Sequence, residues 1–265
     1  MRINIAGGTG IMGKVHEPIF EKAGHEVILS GRNTNPRLEE AARISDVTII
    51  SVPIEATQEV IRKVAPYAEA LMDFTGVKIE PLKWMSQIVE LHGRKNCEIT
   101  GLHPLYGDVK SISGRTIAYC PTNRTGEKSK LVIEALKKAG ADIWETSDRE
   151  HDLSMAVLQI GRVDMVSTFG KMVSGALSFE QAYRISPPQT REILDLLARQ
   201  SDLKYDKTYE EMAKFNPFVK ALRKLSIERL HEVLSNGHDG EYFREWFGDK
   251  LKDAQGRVGE RINNQ

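Results

Sequence analysis

Cysteine is nearly absent: the 265 residues contain two, Cys97 and Cys120. Neither sits in a CxxC spacing, and two are too few for a disulfide framework, so both are expected as reduced thiols. An excess of charge of either sign is missing too, since 37 Lys and Arg balance 37 Asp and Glu at a pI near 7.1. That balance gives no electrostatic reason to expect nucleic acid or an anionic membrane as a partner. No apolar run approaches the ~18 residues needed to span a bilayer. The first six residues, Met1-Arg2-Ile3-Asn4-Ile5-Ala6, read straight into a strand and lack signal-peptide features. A cytoplasmic chain is therefore expected. What is present, 40% hydrophobic and 28% charged residues, suits a soluble folded protein and is too apolar for a disordered one.

Over residues 1–147, short apolar runs at 3–6, 26–30, 46–52, 71–74, 98–102, 116–120 and 142–145 alternate with helical patterns at 11–23, 56–64, 81–91 and 126–139. Strands separated by helix-length segments predict right-handed βαβ units and a doubly wound, mainly parallel sheet of the Rossmann type. Beyond 147 the strand pattern stops. Helical patterns run from 150 to about 177, then over 190–200, 208–214, 217–236 and 240–253. The breaks fall at Ser186-Pro187-Pro188, Asn216-Pro217 and Asn236-Gly237. The expected organisation is α/β: a dinucleotide-binding domain over 1–147, an all-helical substrate and dimerisation domain over 148–265, and a fraying tail after Asp253.

Gly8-Thr9-Gly10-Ile11-Met12-Gly13 follows the first strand and opens a helix. In this GxGxxG the first glycine permits the tight turn, the second lets backbone approach a pyrophosphate, and the third lets helix pack closely on strand. The helix then presents its partial positive end to the phosphates. The end of the second strand, Ser30-Gly31-Arg32-Asn33, carries no Asp or Glu for the adenosine ribose hydroxyls. Arg32 there suits a 2′-phosphate, with Ser30, Asn33 and Thr9 as hydrogen-bonding neighbours, so NADP is expected ahead of NAD. Ser51-Val52-Pro53 ends the third strand and should line the cofactor cleft, which in such sheets lies beyond the carboxyl ends of the strands.

Two further strand ends carry chemistry. One is Asp73-Phe74-Thr75-Gly76-Val77-Lys78; the other holds His103, followed by Pro104. A histidine there is suited to proton transfer, and unperturbed it titrates near ~6.5. With these residues in place, the chain resembles the prephenate dehydrogenase family. The likeness covers the Gly-rich turn, Ser51-Val52-Pro53, the DxxxVK of 73–78 and the HPxxG of 103–107. It continues through Glu150-His151-Asp152 with Met155, Ala156 and Gln159, and ends on Trp246-Phe247-Gly248-Asp249. The resemblance implies a stand-alone, tyrosine-pathway enzyme that passes hydride from prephenate or arogenate to NAD(P)+. The ring carboxylate leaves as carbon dioxide, and 4-hydroxyphenylpyruvate or tyrosine results. It implies His103 as the catalytic histidine that takes the proton of the ring hydroxyl. Many members have Ser where Gly76 stands, and here Thr75, or else a water, is expected to supply the orienting hydrogen bond.

A small dicarboxylate substrate needs cations from the helices. Arg162 lies three residues beyond Gln159, close to one helical turn, so the two are expected to share a face. Arg199 lies where the family carries its substrate arginine, Arg191 is the fallback, and His151 is expected at the substrate, or else as a residue that caps and orders the interdomain cleft. The family further implies a homodimer through the helical domain. No metal is expected. His16, His25, His92, His231 and His238 carry no supporting context. Two other readings compete. Gly7-Gly8-Thr9-Gly10 with Ser30-Gly31-Arg32 is similar to F420-dependent NADP reductases, which leaves His103-Pro104 and the Glu150-His151-Asp152 segment unexplained. A non-catalytic NADP-binding sensor or scaffold would make His103 a packing residue.

Overall fold

The computed structural model describes residues 1–200 and 203–236. Seven strands form one sheet: β1 (Arg2–Ala6), β2 (Glu26–Ser30), β3 (Val47–Ile50), β4 (Ala70–Asp73), β5 (Glu98–Pro104), β6 (Thr116–Pro121) and β7 (Asp142–Glu145). Their order is β2-β1-β3-β4-β5-β6-β7, and every neighbouring pair is parallel except β5 with β6. The order reverses between β1 and β3, and that switch point opens a crevice at the carboxyl ends of the strands. Helices α1 (Ile11–Lys22), α2 (Leu38–Arg43), α3 (Ile54–Val64), α4 (Ile79–Leu91) and α5 (Glu127–Lys138) return the chain.

Alternate residues of the central strands feed two cores. Val47, Ile49, Ala70 and Met72 pack with Phe20 of α1 and with Val132 and Leu136 of α5. Ile50 and Leu71 pack with Ile61 of α3 and with Met85 and Val89 of α4. A strand covered on both faces has no polar side, which is why these segments are unbroken apolar runs.

Two details depart from the sequence-based expectation. Strand β5 continues to Pro104, two residues past the expected end, because β6 pairs with it antiparallel and places His103 opposite Ala118 and Pro104 opposite Ile117. His103 is therefore clamped within the last rungs of a ladder and does not stand free beyond it. Helix α2 is not announced by the sequence pattern; it is six residues long and buries Leu38, Ala41 and Ala42.

After β7 no strand occurs among the described residues. Ser147 caps α6 (Asp148–Met155), its hydroxyl accepting the Glu150 N–H at 3.1 Å. The helix runs on through a π-helical segment, Ala156–Gly161, into α7 (Arg162–Ser174). Next comes α8 (Phe179–Ile185), opened by a capping box of Ser178 and Gln181 that falls inside no expected helix. Helices α9 (Pro188–Gln200), α10 (Leu203–Phe215) and α11 (Val219–Asn236) begin or end at the expected proline breaks. Contacts divide the chain into two units, Met1–Val219 and Lys220–Gln265. The first holds the sheet and α1 to α10; the described part of the second is α11. His238, the 240–253 helix, Trp246-Phe247-Gly248-Asp249 and the tail after Asp253 lie outside the described residues. No helix among the described residues is long and apolar enough to cross a membrane.

Candidate active site

The glycine turn is built with no room for side chains. A Cβ on Gly13 would overlap the Gly8 carbonyl, one on Gly7 would overlap the Ser51 carbonyl, and one on Gly8 would lie 2.7 Å from the Ile5 carbonyl. Gly7 also takes a φ of +88°, a conformation that favours glycine. Gly10 caps α1 without a side-chain hydrogen bond, which leaves the first helical N–H groups for an anion. The cradle thus fits a dinucleotide pyrophosphate, and Gly7 lies against Ser51 and Val52. Ser30 accepts the Gly7 N–H at 2.7 Å through its carbonyl, tying β2 to the turn. Its side chain is fully buried, and the hydroxyl donates to Asn4 at 2.7 Å. Ser30 therefore braces the sheet, and the expected phosphate contact is not its role. Arg32, Asn33 and Thr9 are exposed. Glu59 of α3 is held below the usual carboxylate range, first by Lys63 and to a lesser degree by Arg32.

A cavity of about 540 Å³ lies at the carboxyl edge of the sheet. Ile11 and Met12 of α1 line it, together with Phe74, Gly76, His103 and Tyr106, and it is closed by Gln159 and by Tyr209 and Met212 of α10. His103 is 8% exposed, and its Nδ1 lies 3.0 Å from Nε2 of His151, leaving Nε2 as the free nitrogen. Burial, then the neighbouring His151 and Lys78, pushes its pKa well below the ordinary value. At neutral pH the ring is a neutral base.

Three expected site residues stand elsewhere than the sequence suggests. His151 is fully buried behind His103, and both ring nitrogens are engaged, Nε2 with His103 and Nδ1 with Asp152 at 2.8 Å. It has no surface for substrate. Thr75 is buried, and its hydroxyl sits against the Asp73 carboxylate, the Val77 carbonyl at 2.8 Å and Lys78 Nζ at 3.3 Å. The expected catalytic hydroxyl is thus committed to the Asp73–Lys78 pair. Gln159 lines the His103 cavity, whereas Arg162 lines a neighbouring one of about 340 Å³ with Leu196, Arg199, Gln200 and Tyr209. The shared face expected for Gln159 and Arg162 is lost because the wider π turn rotates the chain by less per residue than an α turn. Arg162 donates to the Tyr209 hydroxyl at 3.1 Å, so Tyr209 stands between the two cavities. Arg191 instead donates to the Tyr183 carbonyl at 3.1 Å.

Sequence reasoning missed His16. It is buried on α1, its Nδ1–H donates to the Met12 carbonyl at 2.7 Å, and its Nε2 therefore accepts the Tyr106 hydroxyl at 2.9 Å. Burial pushes His16 down to about 4, and the neutral ring lies 4.6 Å from the Phe74 ring, tilted by 41°. One wall of the cavity is thereby fixed to the helix that opens the glycine turn. The available signal was local: His16 stands one turn after Met12 on the glycine-turn helix.

A mainly parallel sheet with this turn at its switch point is the architecture of dinucleotide-binding oxidoreductases, and here a buried histidine stands at the cavity that the glycine-turn helix lines. Residues 6–145 match the family model described as "Prephenate dehydrogenase, nucleotide-binding domain". The chain belongs to the prephenate dehydrogenase family. It is 28% identical to the T-protein of Haemophilus influenzae, over 94% of this chain and 67% of that protein. It is 25% identical to a "Probable arogenate/prephenate dehydrogenase" of Methanocaldococcus jannaschii, over 98% of this chain and 61% of that protein. The chain thus spans about two thirds of the length of these relatives. In fold it is similar to prephenate dehydrogenase from A. aeolicus in complex with hydroxyphenyl propionate and NAD+, with a TM-score of 0.67 at 15% identity, covering 100% of this chain and 98% of that one. Synechocystis arogenate dehydrogenase gives 0.64 at 15% identity, with both chains covered in full at 100%.

Proposed function

We infer that the chain oxidatively decarboxylates prephenate or arogenate, with His103 as the general base and residues 1–147 and 148–265 as nucleotide and substrate domains. The observation that carries this is the free Nε2 of a neutral, buried His103 at a cavity bounded by the glycine-turn helix. His103 accepts the proton of the ring hydroxyl as the carbonyl forms. Gly8, Gly10 and Gly13 hold the pyrophosphate against the start of α1, and the Ser51-Val52-Pro53 corner borders the same cleft. A bound nicotinamide supplies the hydride acceptor. Arg162 and Arg199 border the adjoining cavity and suit the substrate's carboxylates. Purified protein mixed with prephenate or arogenate and either nicotinamide cofactor should produce reduced nicotinamide absorbance. Silence with all four combinations would refute the assignment.

We further propose NADP+ as the preferred cofactor, because Arg32 is exposed at the end of a strand that offers no acid. Losing a charge-assisted hydrogen bond to the 2′-phosphate costs about 1.5–3 kcal/mol. Arg32→Ala should therefore weaken NADP+ roughly 10- to 100-fold and leave NAD+ nearly unchanged. Equal losses in titrations of both cofactors would count against the assignment.

Met165 and Met172 are 70% and 68% exposed and stand seven residues apart on α7. Apolar residues at that spacing form a seam for a second helix, and a second copy of the chain is the proposed occupant. Sedimentation at micromolar concentration should give a dimer, and a monomer would defeat this proposal.

A further inference from the structure

A neutral histidine acts as a base only through the nitrogen that lacks a hydrogen, so something must choose the tautomer. Gly76, beside the cavity, offers no hydroxyl for this, and Thr75 is turned to Asp73. Nδ1 of His103 meets His151 Nε2 at 3.0 Å instead, and His151 Nδ1 meets Asp152 Oδ1 at 2.8 Å. Asp152 in turn accepts the Lys78 N–H at 2.7 Å and the Ile79 N–H at 3.0 Å, one on each carboxylate oxygen. Hydrogens assigned outward from this carboxylate have one consistent arrangement. Asp152 accepts, so His151 carries its hydrogen on Nδ1 and presents a bare Nε2. His103 then donates through Nδ1–H, and its own bare nitrogen is Nε2.

We propose that His151 and Asp152 are positioning residues that hold His103 in the Nδ1–H tautomer, with Nε2 as the proton acceptor. This role rests on the reading of His103 as the base. Both rings must be neutral for it. Burial first, and then the Lys78 ammonium, holds His151 down to about 3, while His103 is lowered by burial, His151 and Lys78. The other charged groups in this layer are Asp73, paired with Lys78, and Asp152 itself, whose carboxyl is raised by burial against the pull of the two backbone N–H groups and Lys78. When the substrate proton arrives at Nε2, the Nδ1–H bond to His151 is kept, and the new charge is stabilised along a line ending at a carboxylate.

The test uses the full chain with prephenate and NADP+, and compares His151→Phe, His151→Gln and His103→Asn. His151→Phe should lower kcat about 10²-fold with KM and NADP+ affinity changed by less than about threefold. His151→Gln, whose side-chain carbonyl can accept the Nδ1–H, should stay within about tenfold of wild type. Nitrogen-15 spectra of histidine-labelled wild type should show the hydrogen of His103 on Nδ1, and His151→Phe should show mixed tautomers. Near-native kcat in His151→Phe beside an inactive His103→Asn would overturn the positioning role alone. Near-native turnover in His103→Asn would remove the base itself. The wild-type spectrum stands without any variant or turnover: a hydrogen on Nε2 of His103 overturns the proposal.

Discussion

His103→Asn is expected to lose about 10²–10⁴ in kcat while NADP+ binding changes little. Asparagine approximates the size and can keep a hydrogen bond to His151, so packing around β5 should survive. What disappears is a nitrogen able to take and keep a proton. The phosphates are held at the other end of the cleft, by the glycine turn, which explains the expected indifference of cofactor affinity. The same histidine sets the acid limb of the wild-type profile. Burial holds its pKa well below the ordinary value, so the base stays neutral, and kcat/KM stays high, as pH falls through the ~6.5 of an unperturbed imidazole. A limb lying at or above pH ~6.5 would contradict the burial account, and a folded, cofactor-binding His103→Asn with native turnover would remove the mechanism.

Lys78→Met should destabilise the fold by about 3–5 kcal/mol. Lys78 and Asp73 are both fully buried and paired, and Nζ also donates to the Leu102 carbonyl at 2.7 Å. Even the stem is accommodated: a Cβ on Gly101 would come within 2.9 Å of Lys78 Cδ. Methionine fills the space but strands a carboxylate in the interior. Burial already raises the Asp73 pKa, and loss of Lys78 raises it further. A carboxyl whose folded pKa exceeds its unfolded value binds protons preferentially in the folded state. The variant should therefore regain stability as pH falls toward that raised pKa. Denaturant unfolding at pH 8 and pH 5.5 measures both effects. Asp73→Leu combined with Lys78→Met should be less damaging than Lys78→Met alone, since an apolar pair of similar volume leaves no orphaned charge. A single-variant loss below about 1 kcal/mol would mean that the pair does not hold this corner together. Because Leu102 adjoins His103, a severe loss here should also reach catalysis.

Features encoded within a few neighbouring residues are legible in the sequence itself. The strands announce themselves because burial on both faces leaves few polar positions in 47–50 or 70–72. The glycine turn and His103-Pro104 are equally readable, since their chemistry lies in adjacent residues. Features set by distant docking are not. The end of β5 depends on pairing with residues 116–121, and nothing inside 98–104 records it. Glu150-His151-Asp152 can be read as letters, yet which way His151 points depends on Asp152 reaching the N-terminus of α4, 74 positions away. Gly76 reads as a missing hydroxyl; in three dimensions it is the space into which Met212 fits, where a Cβ would stand 2.7 Å from the sulfur. The π segment between Gln159 and Arg162 carries no signal in the sequence, and it is what sends the two side chains to different cavities.

Asp152 also has a mechanical meaning. One carboxylate grips the amides of Lys78 and Ile79 at the start of α4 and the ring of His151, and the Asp152 carbonyl accepts the Asn216 amide at 2.7 Å. Any swing of α6 away from the sheet would have to break several buried hydrogen bonds together, so this joint behaves as a weld. On α10 the thioether of Met212 lies against Gly76, an exposed Lys214–Glu55 pair adds to it, and the buried Glu211 carboxylate accepts the Ile54 N–H of α3 at 2.7 Å. The first two contacts are soft and cheap to remake, but the buried Glu211 bond is not. Both walls are thus pinned through buried carboxylates, α6 by Asp152 at the start of α4 and α10 by Glu211 at the start of α3, and His103 is kept in place between them.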